Sequence, residues 1–345
     1  MDLAYLWFWI VGFLFVGYFV LDGFDFGVGM SLPFLGKDDV SRRQVINTIG
    51  PVWDLNETWI IVAGACLFAA FPHWYATLFS GFYLALLLIL LALILRGVSF
   101  EYRHQRDSLR WKRAFDRMIV IGSAVPALLW GVAVANIVQG VPIDASMEFT
   151  GSFLTLFNPY GLLGGVTMLL LFFTHGVYFV ALKTDGQVAA DARRLARRAG
   201  LLTIVVGAAF LLWTVVMAFS QGRELAMITA VLAAVAALLL VASWIANARG
   251  REGWAFGFGA FTIVSAVLAL WFALFPYVMP STTAAEYSLT IENASSTDYT
   301  LTIMSWAALI FLPLVLAYQG WTYWIFRKRI TRARIEAASA AAHRP

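Results

Sequence analysis

Charge is scarce in this chain. Asp, Glu, Lys and Arg make up 13% of its residues, where a soluble domain carries about 25%. A surface so poor in ionic groups is not built for water, and the deficit points to lipid contact. Cysteine is nearly missing as well: Cys66 stands alone, which excludes an intrachain disulfide and any multi-cysteine metal site. Histidine occurs only at positions 73, 104, 175 and 343, and only His175 falls inside an apolar run. A six-coordinate haem between helices takes two axial side chains, usually His or Met, so a self-contained cytochrome b is disfavoured. His175 reads as a polar contact between helices. Walker A, His-Glu-x-x-His and dinucleotide-glycine motifs are all missing, as are internal repeats. No strand-type alternation occurs, which excludes a β-barrel.

The hydrophobic residues, 61% of the chain, gather in nine runs. These fall at 3–21, 53–71, 77–95, 115–138, 160–182, 200–219, 225–246, 254–275 and 301–326. Each approaches the roughly 20 residues that cross a bilayer as a helix, and helices satisfy their own backbone in lipid. The expected fold is therefore all-α and polytopic, with about nine spans in one transmembrane domain, 1–326, and a basic tail, 327–345. The start of the chain lacks a basic n-region, and the first run lacks an A-x-A site, so a retained first helix is expected.

Orientation follows from the basic residues. Taking alternate loops as one side, that side holds every one of the 24 Lys and Arg except Arg223. By the positive-inside rule those loops and the carboxyl terminus are cytoplasmic and the amino terminus is outside. The net charge of +4 is thus topology rather than a nucleic-acid patch. The outer loops, 72–76, 139–159 and 276–300, are short or acidic. Interfacial belts account for the aromatic residues near both faces.

Two polar segments near the cytoplasmic side interrupt the apolar pattern: LDGFDFGVGM (21–30), closing the first run, and PVWDLNETW (51–59), opening the second. Asp22 and Asp25 are three apart, as are Asp54 and Glu57, so each pair shares a helical face. Gly23, Gly27 and Gly29 offer surfaces for close helix approach. Two readings stand. In one, Asp54 and Glu57 favour the positive end of their helix, and Asp22 and Asp25 pair with Arg42, Arg43 or Arg96. In the other, four desolvated, mutually repelling carboxylates on two adjoining helix ends hold protons and pass them inward. Arg96, opening RGVSFEYR (96–103), is either a snorkelling anchor or the ion-pair partner that fixes the acids.

These segments resemble subunit II of the cytochrome bd-type quinol oxidases. The likeness also takes in LFAAFPHWYA (67–76), QGVP (139–142), NPYGLLGGV (158–166), FPYVMPSTT (275–283) and SLTIENASSTDYTLTIM (288–304), in family order along nearly the whole chain. The resemblance implies two four-helix bundles plus a peripheral helix. It implies a partner, subunit I, holding two haems b, one haem d and the quinol-oxidising loop. The complex would oxidise quinol and reduce dioxygen. In some members subunit II carries a bound structural quinone. A proton route toward subunit I maps onto Asp25 and Asp54, with Trp59 nearby, and Asp22, Glu57 and Arg96 join it here as candidates. The family often has glycine where this chain has Leu55, and Gln or Glu at position 57. Two other classes compete: a free-standing proton-coupled transporter, and a quinone-binding anchor for a peripheral dehydrogenase.

Overall fold

The structure is a computed structural model describing residues 2–342. Asp2 caps the first helix by accepting a hydrogen bond from the Ala4 amide. The helices follow as α1 (Leu3–Leu35), α2 (Asp39–Ile46), α3 (Trp53–Ala70), α4 (Pro72–Gly81), α5 (Tyr83–Tyr102), α6 (Leu109–Gln139), α7 (Pro159–Lys183), α8 (Gly186–Ser220), α9 (Ala226–Ala248) and α10 (Glu252–Leu274). A two-stranded ribbon, β1 (Tyr277–Met279) and β2 (Leu289–Thr290), leads through α11 (Ile291–Ala294) to α12 (Asp298–Ile325) and α13 (Arg332–Ala342). Among the described residues eight helices are long and apolar enough to cross a membrane. The helix that would complete the expected nine is α3, 18 residues long, which spends its first turns on Asp54, Asn56 and Glu57.

Contacts sort the spans into two groups: α1, α3, α5 and α6 form one bundle, and α7 to α10 the other. The α1–α7 and α6–α7 contacts join them, and α12 leans on α1 and α3 from outside. The joint depends on glycine. A Cβ on Gly27 would sit 1.9 Å from the Phe172 carbonyl oxygen, and one on Gly176 would sit 2.3 Å from the Gly27 carbonyl carbon. Two backbones therefore cross with nothing between them, as small residues permit in lipid.

Three boundaries differ from those expected. The first helix does not close at Leu21 but continues through LDGFDFGVGM to Leu35. Its glycines are crossing points, and tertiary packing outweighs their poor helix propensity. Asp22 and Asp25 thus lie inside a helix rather than at its end. The expected run 77–95 is split at Phe82 into α4 and α5. Helix α8 extends 14 residues before its apolar run, through the polar stretch that carries Arg193, Arg194, Arg197 and Arg198.

The end of the molecule carrying the basic loops is laced by ion pairs. Asp116 joins Arg103 at 2.6 Å and Arg42 at 3.1 Å, and Asp39 joins Arg103 at 2.9 Å. Beyond α12 the chain turns back. The Ile330 amide donates to the Lys183 carbonyl at 2.7 Å, Arg332 pairs with Asp38 at 3.0 Å, and α13 packs on α2. The remainder of the expected tail, including His343, lies outside the described residues.

Candidate functional site

The helical spacing of Asp22 and Asp25 turns both acids to one side of α1, where neither is exposed. Helix α3 brings Asn56 and Glu57 to the same level, and α5 brings Arg96. The α5–α6 approach is set by Gly122, where a Cβ would lie 2.6 Å from the Ala92 carbonyl oxygen and 2.9 Å from the Arg96 Cβ. Arg96 sits at the centre. Its Nη2 reaches Asp22 Oδ1 at 2.7 Å and Glu57 Oε2 at 3.0 Å, and its guanidinium lies 4.4 Å from the centre of the Phe26 ring. The sequence left open whether Arg96 snorkels or pairs. It pairs.

Asp25 has a different partner. Its Oδ2 accepts from Asn56 Nδ2 at 2.8 Å. Asn56 Oδ1 in turn accepts from Gln319 Nε2 at 2.9 Å and the Tyr323 hydroxyl at 2.8 Å, both on α12. Trp59 Nε1 donates to Gln319 Oε1 at 3.5 Å, and the Trp59 ring fills the space left by Gly17, where a Cβ would lie 2.2 Å from it. Sequence reasoning missed Asn56 and Gln319, because each is uncharged and a search for charged groups passes over them, and it assigned Tyr323 only to the interfacial aromatic belt.

Asp54 departs from the expected cluster. It is exposed, and among the described residues it makes no hydrogen bond or ion pair. Glu57 turns inward while Asp54, in the first turn of α3, turns out. Arg42, offered above as a partner for the buried acids, is taken by Asp116.

Three carboxyls face one guanidinium in this site. Fully ionised, the group would carry two negative charges without a partner where neither Asp22 nor Asp25 is exposed, a costly arrangement. Groups this close exchange protons as a set rather than singly. The arrangement is chemically suited to taking up and releasing protons. His175 lies apart from it, its ring stacked on Phe256 at 4.5 Å and 3° between planes. A Cβ on Gly259 would lie 2.9 Å from His175 Nδ1, so ring face and Nδ1 are both covered. Among the described residues no three or more His, Cys, Asp or Glu are grouped to hold a metal ion.

At the polar end, Asp38 caps α2. The hydrogen bond from the Ser41 backbone amide, with help from its hydroxyl and from Arg332, holds the Asp38 carboxyl down at about 2. Lys37 and Arg194 likewise hold Asp191 below the ordinary carboxylate range.

Comparison with known proteins then gives four results. The family model for cytochrome bd terminal oxidase subunit II matches residues 3–326. The chain is 42% identical over 328 residues to cytochrome bd ubiquinol oxidase subunit 2 of Bacillus subtilis (strain 168), covering 94% of this chain and 96% of the relative. It is 38% identical over 366 residues to cytochrome bd-I ubiquinol oxidase subunit 2 of Escherichia coli (strain K12), covering 97% of each. In fold it is similar to a chain of the bd oxidase from Geobacillus thermodenitrificans, with a TM-score of 0.75 at 16% identity over 94% of this chain and 99% of that one.

Proposed function

The chain belongs to the cytochrome bd terminal oxidase subunit II family, multi-pass membrane subunits of a bacterial respiratory oxidase, and from that premise we propose that it feeds protons to the oxidase. The complex contains haem and a second subunit, subunit I. In this reading the present chain ligates none of the haems, stabilises subunit I and supplies the proton entry for reduction of dioxygen to water. The observation that carries it is the Arg96-centred group of Asp22, Glu57 and Asp25. That His175 is the one histidine inside an apolar run supports placing the two haems b and the haem d on the partner.

The basic loops and the carboxyl-terminal segment face the cytoplasm by the positive-inside rule, with the amino terminus outside. Asp22 lies roughly 28 Å along α1 at 1.5 Å per residue, against a hydrocarbon core about 30 Å thick. A helix that enters from outside therefore sets its acids in the cytoplasmic half. Haem chemistry in the complex consumes protons as dioxygen becomes water. This chain's own task is to accept protons from the cytoplasm at Asp54, hold them at the Asp22–Asp25–Glu57 set, and release them toward subunit I. Arg96 fixes the geometry, and Trp59 closes the site toward lipid.

Asp54 also indicates where the partner docks. A carboxylate on a lipid-facing helix is costly, so such groups turn to protein or water. The face of α3 that carries it continues through the exposed Ile61 and Phe68, and we place subunit I there and on the neighbouring face of α5. An apolar cleft of about 320 Å³ between α1, α3 and α12, with Trp7, Trp59 and Phe311 in its walls, suits the tail of a structural quinone. A free-standing transporter fits less well, because α1 runs unbroken through its acidic segment where transporters interrupt their helices.

The test is quinol-driven oxygen consumption by the purified complex. Asp25→Asn and Asp54→Asn should each slow it by about a hundredfold, the low end of the usual span for a lost proton-transfer group, with haem content unchanged. Undiminished turnover in both variants would remove the proton role.

A further inference from the structure

Helix α12 contributes little to the core: of its 28 residues only Leu301, Gln319 and Thr322 are buried. One of its few anchors is thus an amide rather than a leucine. A buried amide is tolerated when its hydrogen bonds are made, and Gln319 makes them at both ends.

The two ends of that chain of bonds differ in kind. An indole N–H only donates, so the group facing Trp59 must be the Gln319 carbonyl oxygen. The Gln319 NH2 then points to Asn56 and requires its Oδ1, which the Tyr323 hydroxyl also meets. At the far end the Leu21 carbonyl lies 3.4 Å from Asn56 Nδ2, and a carbonyl only accepts. An obligate donor and an obligate acceptor thus hold both amides in one orientation, with no flipped alternative. Asp25 Oδ2 always faces an N–H. Asp25 Oδ1 is buried and has no hydrogen-bond partner among the described residues.

We infer that α12, through Gln319, Tyr323 and Asn56, holds a one-way amide chain against Asp25 that reserves its Oδ1 as the oxygen that gains and loses the proton. The inference rests on the reading of Asp25 as a proton carrier. Asn56, Gln319 and Tyr323 are positioning residues: they touch no reacting oxygen except through the Asn56 N–H on Oδ2. A proton arriving from the cytoplasmic side bonds to Oδ1 while Oδ2, as the carbonyl oxygen, keeps its donor. On release the charge spreads over both oxygens and the same N–H remains in place, with no electron moved. The charged and titratable groups that bear on Asp25 are Asp22 on α1, Glu57 on α3, Arg96 on α5 and Tyr323 on α12.

Infrared difference spectra of the intact complex, oxidised against quinol-reduced, provide the readout. The carboxylic C=O band of Asp25 is identified by its loss in Asp25→Asn. A C=O that accepts a hydrogen bond absorbs at lower frequency, so removing the donor in Asn56→Leu should move the band up. Asn56→Leu leaves buried partners unmatched and risks poor assembly. Gln319→Met and Tyr323→Phe keep their volume at the edge of the bundle and test the same chain. In the double variant the band should broaden or rise, the pH profile of turnover should shift, and turnover should fall about tenfold, as expected for a charge-assisted bond weakened or lost. Gln319→Glu with Tyr323 retained, which keeps an acceptor for Trp59 but removes the NH2, should give the same band shift. Turnover independent of Asp25 strikes the proton-entry reading itself. Turnover that depends on Asp25, with band and pH profile unmoved in the α12 variants, overturns the present inference alone.

Discussion

Arg96 shows how far a single residue can be read from sequence. That it lies at the end of an apolar run was plain, and so was its choice between an anchor and a partner. The choice depended on whether three helices bring their acids to one level, which spacing along one helix does not reveal. In the fold its guanidinium joins Asp22 to Glu57 with no exposure of its own. Removing one member of a buried ion pair leaves the rest unmatched and destabilises by about 3–5 kcal/mol. Arg96→Gln should therefore lower the thermal stability of the complex sharply, followed by haem absorbance on heating. If the unmatched charge is the cause, adding Asp22→Asn should recover part of the loss. A double-mutant cycle that returns simple additivity would mean the two do not act together. Asn56 was illegible for another reason: nothing in PVWDLNETW distinguishes the one polar side chain that turns inward beside Glu57 from Asp54, which turns out. A three-residue spacing fixes a shared face only approximately, and neighbours decide which member is buried.

At the scale of elements, the order of the spans was legible, and among the described residues eight of the nine expected are long and apolar enough to cross, because lipid imposes a simple rule of length and polarity. Boundaries were less so. The first helix continues past its apolar run because Gly27 meets Gly176 across the α1–α7 crossing, a contact between distant segments that no local pattern encodes. Helix α2 was hidden by its polarity, since it lies in a basic loop and is held by its ends. Asp38 accepts from the Ser41 amide at 2.7 Å and the Ser41 hydroxyl closes a capping box. The folded carboxyl titrates at about 2, below its unfolded value near 3.8. A depressed carboxyl contributes its full stability above the unfolded value and loses it as pH falls through the folded one. Protection of the 39–46 amides against hydrogen exchange should thus hold at neutral pH and weaken between about 4 and about 2. In Asp38→Ala it should be reduced at neutral pH by about 1 kcal/mol, the usual worth of such a cap. The wild-type acid weakening should then disappear.

For the whole molecule the question is what covers the surfaces this chain leaves open. Most exposed apolar residues need only lipid, as along α12, where Trp306, Leu309 and Ile310 all stand free. The face of α3 is different because it carries an exposed acid, Asp54, on the same helix as Ile61 and Phe68. It also carries Gly64, at which an added Cβ would meet nothing within 4 Å. A glycine inside a helix is unfavourable by about 1 kcal/mol relative to alanine. Gly27, Gly122 and Gly176 repay this within the chain through close backbone approach, but Gly64 finds no such return here. Subunit I packed closely on α3 would supply it, since small residues let helices meet in lipid. Gly64→Leu should therefore leave insertion and folding of this chain intact while sharply reducing the haem-bearing subunit recovered with it. The same change at Gly257 on α10, where an added Cβ also meets open space but no acid marks the face, should leave recovery at the wild-type level. If both variants retain the partner equally, α3 faces lipid and Asp54 must be accounted for in some other way.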